Sequence, residues 1–192
     1  MDRRRRVVFW QRTDAPGAEL FRLAQSSDGV RLSGTILAAP EGAPLHVDYV
    51  IECGPSFETR AVSVAVDGEG GRRMLALQVG TAGVWRRDGH VVPALVGCVD
   101  VDLGLSPSTN TLPIRRLGLL DLPHGTAREV TAAWIGFPGL KLEALPQRYT
   151  RLDGRRFRYE GLASGFTAEI EVDEDGLVVE YPPAWRRVAP PR

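Results

Sequence analysis

Two aspartates, Asp100 and Asp102, stand two residues apart within Gly97–Leu117, which reads GCVDVDLGLSPSTNTLPIRRL. Because side chains alternate along a β-strand, both carboxylates would project from one face, about 7 Å apart at the backbone. Glycoside hydrolases use paired carboxylates at such separations to cleave glycosidic bonds. If the protein is an enzyme, Asp100 and Asp102 are its candidate catalytic residues.

A structural role for the two aspartates is the interpretation we favour. Arg115 and Arg116 follow closely in sequence, as does the polar turn Thr109–Thr111. Either would supply the hydrogen bonds and ion pairs that a carboxylate on a half-buried strand requires. The pair would then fix a loop across the sheet.

Other signatures of catalysis are missing from the sequence. It contains no GxSxG, GxxxxGK[ST] or HExxH motif. No histidine or cysteine pair has the spacing of metal ligands, since His46, His90 and His124 are widely separated. We therefore expect no cofactor and no metal, and favour a protein that is not an enzyme.

Composition favours one globular domain over residues 1–192, with flexible termini at 1–6 and 188–192. The chain is 43% hydrophobic and 25% charged, and a chain of this size buries about 70% of its unfolded surface. The 24 acidic residues balance the 24 basic ones, which argues against nucleic acid as a partner. The sequence leaves the oligomeric state open.

Hydropathy and cysteine content predict a cytoplasmic protein without stable membrane insertion. No apolar run approaches the roughly 20 residues that a membrane span requires, and no signal-peptide pattern is visible. Cys53 and Cys98 lie in apolar, strand-like surroundings and are too few for a disulfide scaffold. Two free, buried thiols fit a reducing compartment.

A period of two dominates the hydrophobic pattern. In Leu45–Cys53, apolar residues alternate with more polar ones, and the pattern recurs along the chain. Asp-Gly pairs that favour hairpin tips fall between several of these segments; they begin at Asp67, Asp88, Asp153 and Asp175. We expect a mainly β fold, a single large antiparallel sheet. Roughly ten strands cannot remain flat, so the sheet should curl into an open or half barrel.

Helix should be scarce. Ser106-Pro107 resembles a helix start, but Pro113 prevents a long continuation. We expect one or two short helices or turns that cover the concave face. The segment Arg128–Trp134 fits either helix or strand, and we favour strand.

The motif Gly97–Leu117 resembles the core motif of a known family, named putative glycolipid-binding and formerly a domain of unknown function. The family pattern runs close to GC-hydrophobic-DVDL followed by TPFTNTLPIRRL, and Ser106 and Ser108 replace its usual Thr and Phe. Three further segments match, so that the resemblance covers nearly the whole chain: GVWRRDG around Trp85, QRYTRL from Gln147, and GFTAEIEVDEDGLVVEYP from Gly165.

The resemblance implies an open β-barrel similar to bacterial lipoprotein carriers, and a lipid or glycolipid-like amphiphile as ligand. Aromatic side chains would line its concave face, and arginines would pair with the head group. A protein-interaction module without a small-molecule ligand remains an alternative. The candidate ligand-binding residues are Trp10, Arg60, Trp85, Asp100, Asp102, Asn110, Arg115, Arg116, Trp134, Arg148, Tyr149 and Tyr181.

Overall fold

A computed structural model describes residues 4–188, which form one 15-stranded sheet in the order β8-β7-β6-β5-β4-β3-β2-β1-β15-β14-β13-β12-β11-β10-β9. The strands are β1 (Arg4–Arg12), β2 (Gly17–Ser26), β3 (Gly29–Ala38), β4 (Leu45–Cys53), β5 (Thr59–Gly68), β6 (Arg73–Val79), β7 (Trp85–Arg87), β8 (His90–Val91), β9 (Asp100–Leu103), β10 (Ala127–Gly136), β11 (Lys141–Arg151), β12 (Arg156–Gly161), β13 (Phe166–Val172), β14 (Val178–Tyr181) and β15 (Trp185–Val188).

Helical structure is limited to short pieces. The α-helix α1 spans Thr111–Arg116. The 3-10 turns are Pro40–Gly42, Thr81–Gly83, Pro93–Leu95, Ser108–Asn110 and Leu119–Asp121. Between residues 4 and 188, no helix combines the length and apolar character needed to cross a membrane.

The sheet curls without closing into a barrel. Strands β8 and β9 remain its two edges. The curl nevertheless brings β9 towards the other half of the sheet, where the Val101 amide donates to Thr59 Oγ1 of β5 at 3.2 Å. The Trp85 indole N–H of β7 likewise donates to the Cys98 carbonyl at 2.9 Å. Alternate side chains of the strands thus face a shared interior, as the period of two predicted.

The crossover 104–126 fills part of this interior. Ser108 and α1 residues from Thr111 to Ile114 are buried, and contacts with distant strands hold the segment in place. Thr111 Oγ1 donates to the Gly176 carbonyl at 3.0 Å, and the Arg115 guanidinium lies 5.1 Å above the centre of the Phe57 ring. The expected short helix over the concave face is therefore present.

One strand pair departs from the antiparallel sheet that we expected. Strands β9 and β10 are parallel, with Asp102 beside Trp134, so the sheet is mixed. The crossover explains the difference, because parallel neighbours require a long connection, whereas hairpins join antiparallel ones. The segment Arg128–Trp134 is strand, as we favoured.

The first and last described strands extend into the segments that we expected to be flexible. We expected residues 1–6 to be flexible, but Arg4–Arg6 begin β1 and pair with β2. Arg6 also forms ion pairs with Asp173 and Asp175 in the β13–β14 turn, which secures this strand end. Val188 similarly ends β15 and pairs with Phe9. Residues 1–3 and 189–192 lie outside the described range.

The interior requires a glycine at position 34 of β3. The Tyr49 ring of β4 lies against Gly34, and a methyl group there would meet ring atoms at 2.6–2.7 Å. Tyr49 is buried, and its hydroxyl lies 2.8 Å from Ser108 Oγ of the crossover. The ring therefore cannot shift without disturbing the crossover.

We predict that Gly34→Ala destabilises the protein by about 2 kcal/mol, the usual cost of overpacking a core. Gly139→Ala is the control, since nothing lies within 4 Å of the added methyl group. Urea unfolding measures both variants. Equal stabilities for the two would contradict this account of the Tyr49 contact.

Candidate ligand-binding cavity

A cavity of about 480 Å³ opens on the face of the sheet that carries the core. It lies between β9–β15 and the crossover, where α1 does not cover the sheet. Its size falls within the range typical of ligand sites. A depression of about 690 Å³ on the opposite face has no aromatic lining, so it is a poorer candidate for the predicted ligand.

Trp134 provides a flat aromatic wall. Its indole lies against Gly104 and Gly136, and a methyl group on Gly104 would approach it to 2.7 Å. Trp134 is half-buried and lines the cavity. The two glycines therefore let the indole lie close to the backbone.

Three further rings form a cluster along the opposite wall. The ring centres of Tyr159, Phe166 and Tyr181 lie 6.1–6.5 Å from one another. Phe166 is 44% exposed, so part of its ring is open to solvent. Trp185 extends the wall, and the Arg12 guanidinium lies 5.5 Å from its ring centre.

Asp102 places a carboxyl group on the cavity lining. Thr109 Oγ1 donates to it at 3.1 Å, and Gln147 Nε2 donates at 2.6 Å. Burial raises the pKa of Asp102 above its ordinary value, while these two hydrogen bonds lower it. Because these two hydrogen bonds occupy only one acceptor position on each oxygen, the carboxyl group retains acceptor capacity for a ligand.

Asp100 has a different environment from Asp102. It is 1% exposed, and Arg116 donates to both of its carboxylate oxygens, at 2.9 Å and 2.7 Å. This pairing is the structural role that we favoured for an aspartate near Arg116. Asp100 does not line the cavity, so the two carboxylates do not face one shared space.

Another buried carboxyl group, that of Glu19, accepts a hydrogen bond from a residue of the cavity lining. Ser106 Oγ donates to it at 2.8 Å, and the Tyr49 hydroxyl also donates to it. Ser106 itself lines the cavity. Burial raises the pKa of Glu19 to about 7, against the opposing effect of the hydrogen bonds from Tyr49 and Ser106.

Four of the twelve predicted ligand-binding residues line this cavity: Asp102, Asn110, Trp134 and Tyr181. Tyr149 lies directly behind them, fully buried, and its hydroxyl donates to Asn110 Oδ1 at 3.0 Å. The structure therefore brings together one carboxyl, one amide and two aromatic side chains from separate strands and the crossover.

The other predicted residues lie outside the cavity. The Trp10 and Trp85 indoles are buried in the core and donate to backbone carbonyls. Arg60 pairs with Glu58 on the surface. Arg148 pairs with the exposed Glu129 and the partly exposed Glu160, whereas Arg115 and Arg116 contact Phe57 and Asp100, respectively.

Sequence reasoning missed several residues of the site. Gln147 and Phe166 lie in segments that were noted for their family resemblance and were not proposed as site residues, although alternation places Gln147 on the same face as Tyr149. Glu19 alternates with Phe21 and Leu23 in β2. A carboxyl group on the apolar face of a strand is the signal that would have revealed it.

Among residues 4–188, no group of three or more histidine, cysteine, aspartate or glutamate side chains is arranged to hold a metal ion. The two thiols, Cys53 and Cys98, are free and buried. Burial raises their pKa values to about 12 and about 11, respectively, so both remain protonated at neutral pH.

We predict that Arg116→Ala lowers the free energy of unfolding by about 3 kcal/mol, because it leaves the buried Asp100 carboxylate without its partner. Arg148→Ala is the matched control and should cost less than about 1 kcal/mol, since its partner Glu129 is exposed. Chemical denaturation measures both. A similar small loss in the two variants would contradict a structural role for the Asp100–Arg116 pair.

We predict that Glu19 makes stability fall as pH rises. Its folded-state pKa of about 7 exceeds the ordinary glutamate pKa of 4.5, so the folded state binds the proton more tightly. This stabilisation, on the order of 3 kcal/mol, is fully present below pH 4.5 and is lost as pH rises through 7. Glu19→Gln should remove this component, so the variant's stability relative to the wild type should increase from pH 4.5 to pH 8. If the stability of Glu19→Gln and that of the wild type changed with pH in the same way, the pH dependence could not be assigned to Glu19.

Comparison with known proteins agrees with the fold and the motif. The chain is similar to a DUF1089 family protein from Pseudomonas aeruginosa, of known crystal structure, with 37% identity and a TM-score of 0.80 over 90% of this chain and 92% of that one. No curated protein matches. The family model described as "Putative glycolipid-binding" matches residues 7–187. Because that match spans nearly the whole chain, the protein belongs to this family.

Proposed function

We propose that the protein binds an amphiphile with an uncharged, hydroxyl-bearing head, such as a glycolipid, and does not transform it. One observation carries the proposal: the aromatic cavity contains the Asp102 carboxyl group, whose hydrogen-bond partners are uncharged. The family name supports a ligand of this class.

The polar lining suits hydroxyl groups. Asp102 and Asn110 offer acceptors, and the Asn110 amide also offers donors. An anionic head is disfavoured, because Asp14 and Glu143 also line the cavity and its one arginine, Arg12, is paired with Asp14. A sugar-like head therefore fits better than a phosphate or carboxylate.

The aromatic and aliphatic lining suits the apolar parts of such a ligand. The flat Trp134 indole offers a surface for the C–H face of a sugar ring. Leu105, Leu145 and Phe166 also line the cavity and would bury part of an acyl chain. Each buried methylene would contribute about 0.8 kcal/mol.

Hydrolysis by the two aspartates has less support. The reaction requires a second carboxyl group beside the substrate, whereas Asp100 pairs with Arg116 and does not line the cavity.

We also propose a cytoplasmic location, supported by the two free buried thiols of Cys53 and Cys98.

Titration with a dodecyl glycoside, kept below its micelle concentration, tests the proposal through tryptophan fluorescence. We predict saturable binding that Asp102→Asn weakens about tenfold, because the substitution replaces a carboxyl acceptor oxygen with an amide group that donates hydrogen bonds. Asp153→Asn is the control, since Asp153 is exposed and pairs with Arg156.

A second pair of variants tests whether the fluorescence change arises in the cavity. Trp134→Phe should reduce both affinity and fluorescence change, whereas Trp85→Phe alters a buried indole outside the cavity and should preserve affinity. Absence of binding by glycosides, with a correctly folded protein, would contradict the proposal and favour an interaction module. Turnover of a glycoside would contradict its non-catalytic part.

A further inference from the structure

Three arginines form a triangle on the outer face of the sheet. Arg22 of β2 stands opposite Val7 of β1 and Ser33 of β3. Arg5 and Arg31 lie two residues further along these two strands, so each is a diagonal neighbour of Arg22. Diagonal neighbours lie about 7–8 Å apart, which lets long side chains converge on one anion.

Charge at this triangle is incompletely compensated. Within the described chain, no carboxylate lies within ion-pair distance of Arg5 or Arg22. Arg31 pairs with Glu52, but both side chains are about half-exposed, so this pair is weak. The chain's formal charge of zero therefore conceals a local excess of positive charge.

The triangle borders the 690 Å³ groove on this face. Arg5, Arg22, Arg31 and Arg60 all line it, and Asp28 and Glu52 are its lining carboxylates. Arg60 pairs with Glu58 at 3.2 Å. A phosphate group in the groove would meet two guanidiniums that pair with no carboxylate of residues 4–188, and a third that is weakly paired with the half-exposed Glu52.

An apolar patch adjoins the arginines on the same face. Phe9 stands opposite Leu20 on one side and Val188 on the other, and Val7 lies two residues from Phe9. Leu37 is a diagonal neighbour of Leu20 across β2 and β3. Val7 is 64% exposed and Leu37 59% exposed. Together with Arg5, Arg22 and Arg31, these residues make up the outer basic surface.

We propose that the outer basic surface docks the protein on a bilayer that contains anionic phospholipids. Arginines attract lipid phosphates, and the neighbouring apolar side chains enter the interfacial region. A second copy of the chain fits less well, because a two-fold contact centred on the triangle would place its arginines against themselves. This inference concerns the face opposite the cavity and does not depend on the proposed ligand.

Cosedimentation with vesicles tests the proposal. Binding is expected to vesicles with about one third phosphatidylglycerol and not to phosphatidylcholine alone. It should largely disappear at about 1 M salt, where the screening length falls to about 3 Å. Binding to both vesicle types alike, or to neither, would overturn the proposal.

Variants test whether the outer basic surface is the part of the protein that binds the vesicles. Arg22→Gln should weaken the partition coefficient about fivefold, the value of one cationic side chain near an anionic membrane. Arg158→Gln removes the same charge from an exposed position on β12 and should leave binding nearly unchanged. Phe9→Ser should also weaken binding. Equal effects of Arg22→Gln and Arg158→Gln would overturn the assignment.

Two further binding measurements distinguish a phospholipid surface from free phosphate and from RNA. Inorganic phosphate at millimolar concentration should neither displace the protein from vesicles nor raise its melting temperature. If phosphate had either effect on the wild type and not on Arg22→Gln, the arginines would instead form a site for a free anion. Tighter binding to an RNA oligonucleotide than to the anionic vesicles would overturn the proposal. Asp102→Asn should bind vesicles normally, which distinguishes a failure here from a failure of the cavity.

Discussion

The buried ion pair between Asp100 and Arg116 connects the crossover to the edge of the sheet. Desolvation makes an unpaired carboxylate costly at this position, so the bidentate guanidinium constrains where α1 ends. Contacts from Ser108 to Tyr49, Asn110 to Tyr149 and Thr111 to Gly176 hold the remainder of the segment. With the crossover in place, an open sheet acquires a partly filled interior.

The cavity is the part of that interior that the crossover leaves uncovered. Its chemistry follows from the register of the strands, because Asp102 stands beside Trp134 in the parallel pair and Trp134 stands beside Glu143 in the next pair. The two opposite faces of the sheet consequently differ. One carries an aromatic cavity lined with carboxyl groups, and the other carries arginines beside exposed apolar side chains, so each would select a different kind of partner.

Much of the fold could be predicted from alternation alone, whereas the site could not. The period of two correctly places Asp100 and Asp102 on one strand face, and the short spacing to Arg116 suggests the ion pair. Alternation does not reveal which strands become neighbours, so it could not separate Trp134, which lines the cavity, from Trp10 and Trp85, which lie in the core. The parallel pairing of β9 with β10 depends on how the crossover packs, and no local sequence signal specifies that path. Glu19 is recognisable only once the partners Tyr49 and Ser106 are known.

Native mass spectrometry of protein purified without detergent, followed by organic extraction, tests the central claim most directly. The account predicts a stoichiometric bound amphiphile with a hydroxyl-bearing, uncharged head, and a reduced bound fraction in Asp102→Asn. A bare mass that matches the chain, together with no uptake of dodecyl glycoside on titration, would contradict the claim that the cavity is a ligand site.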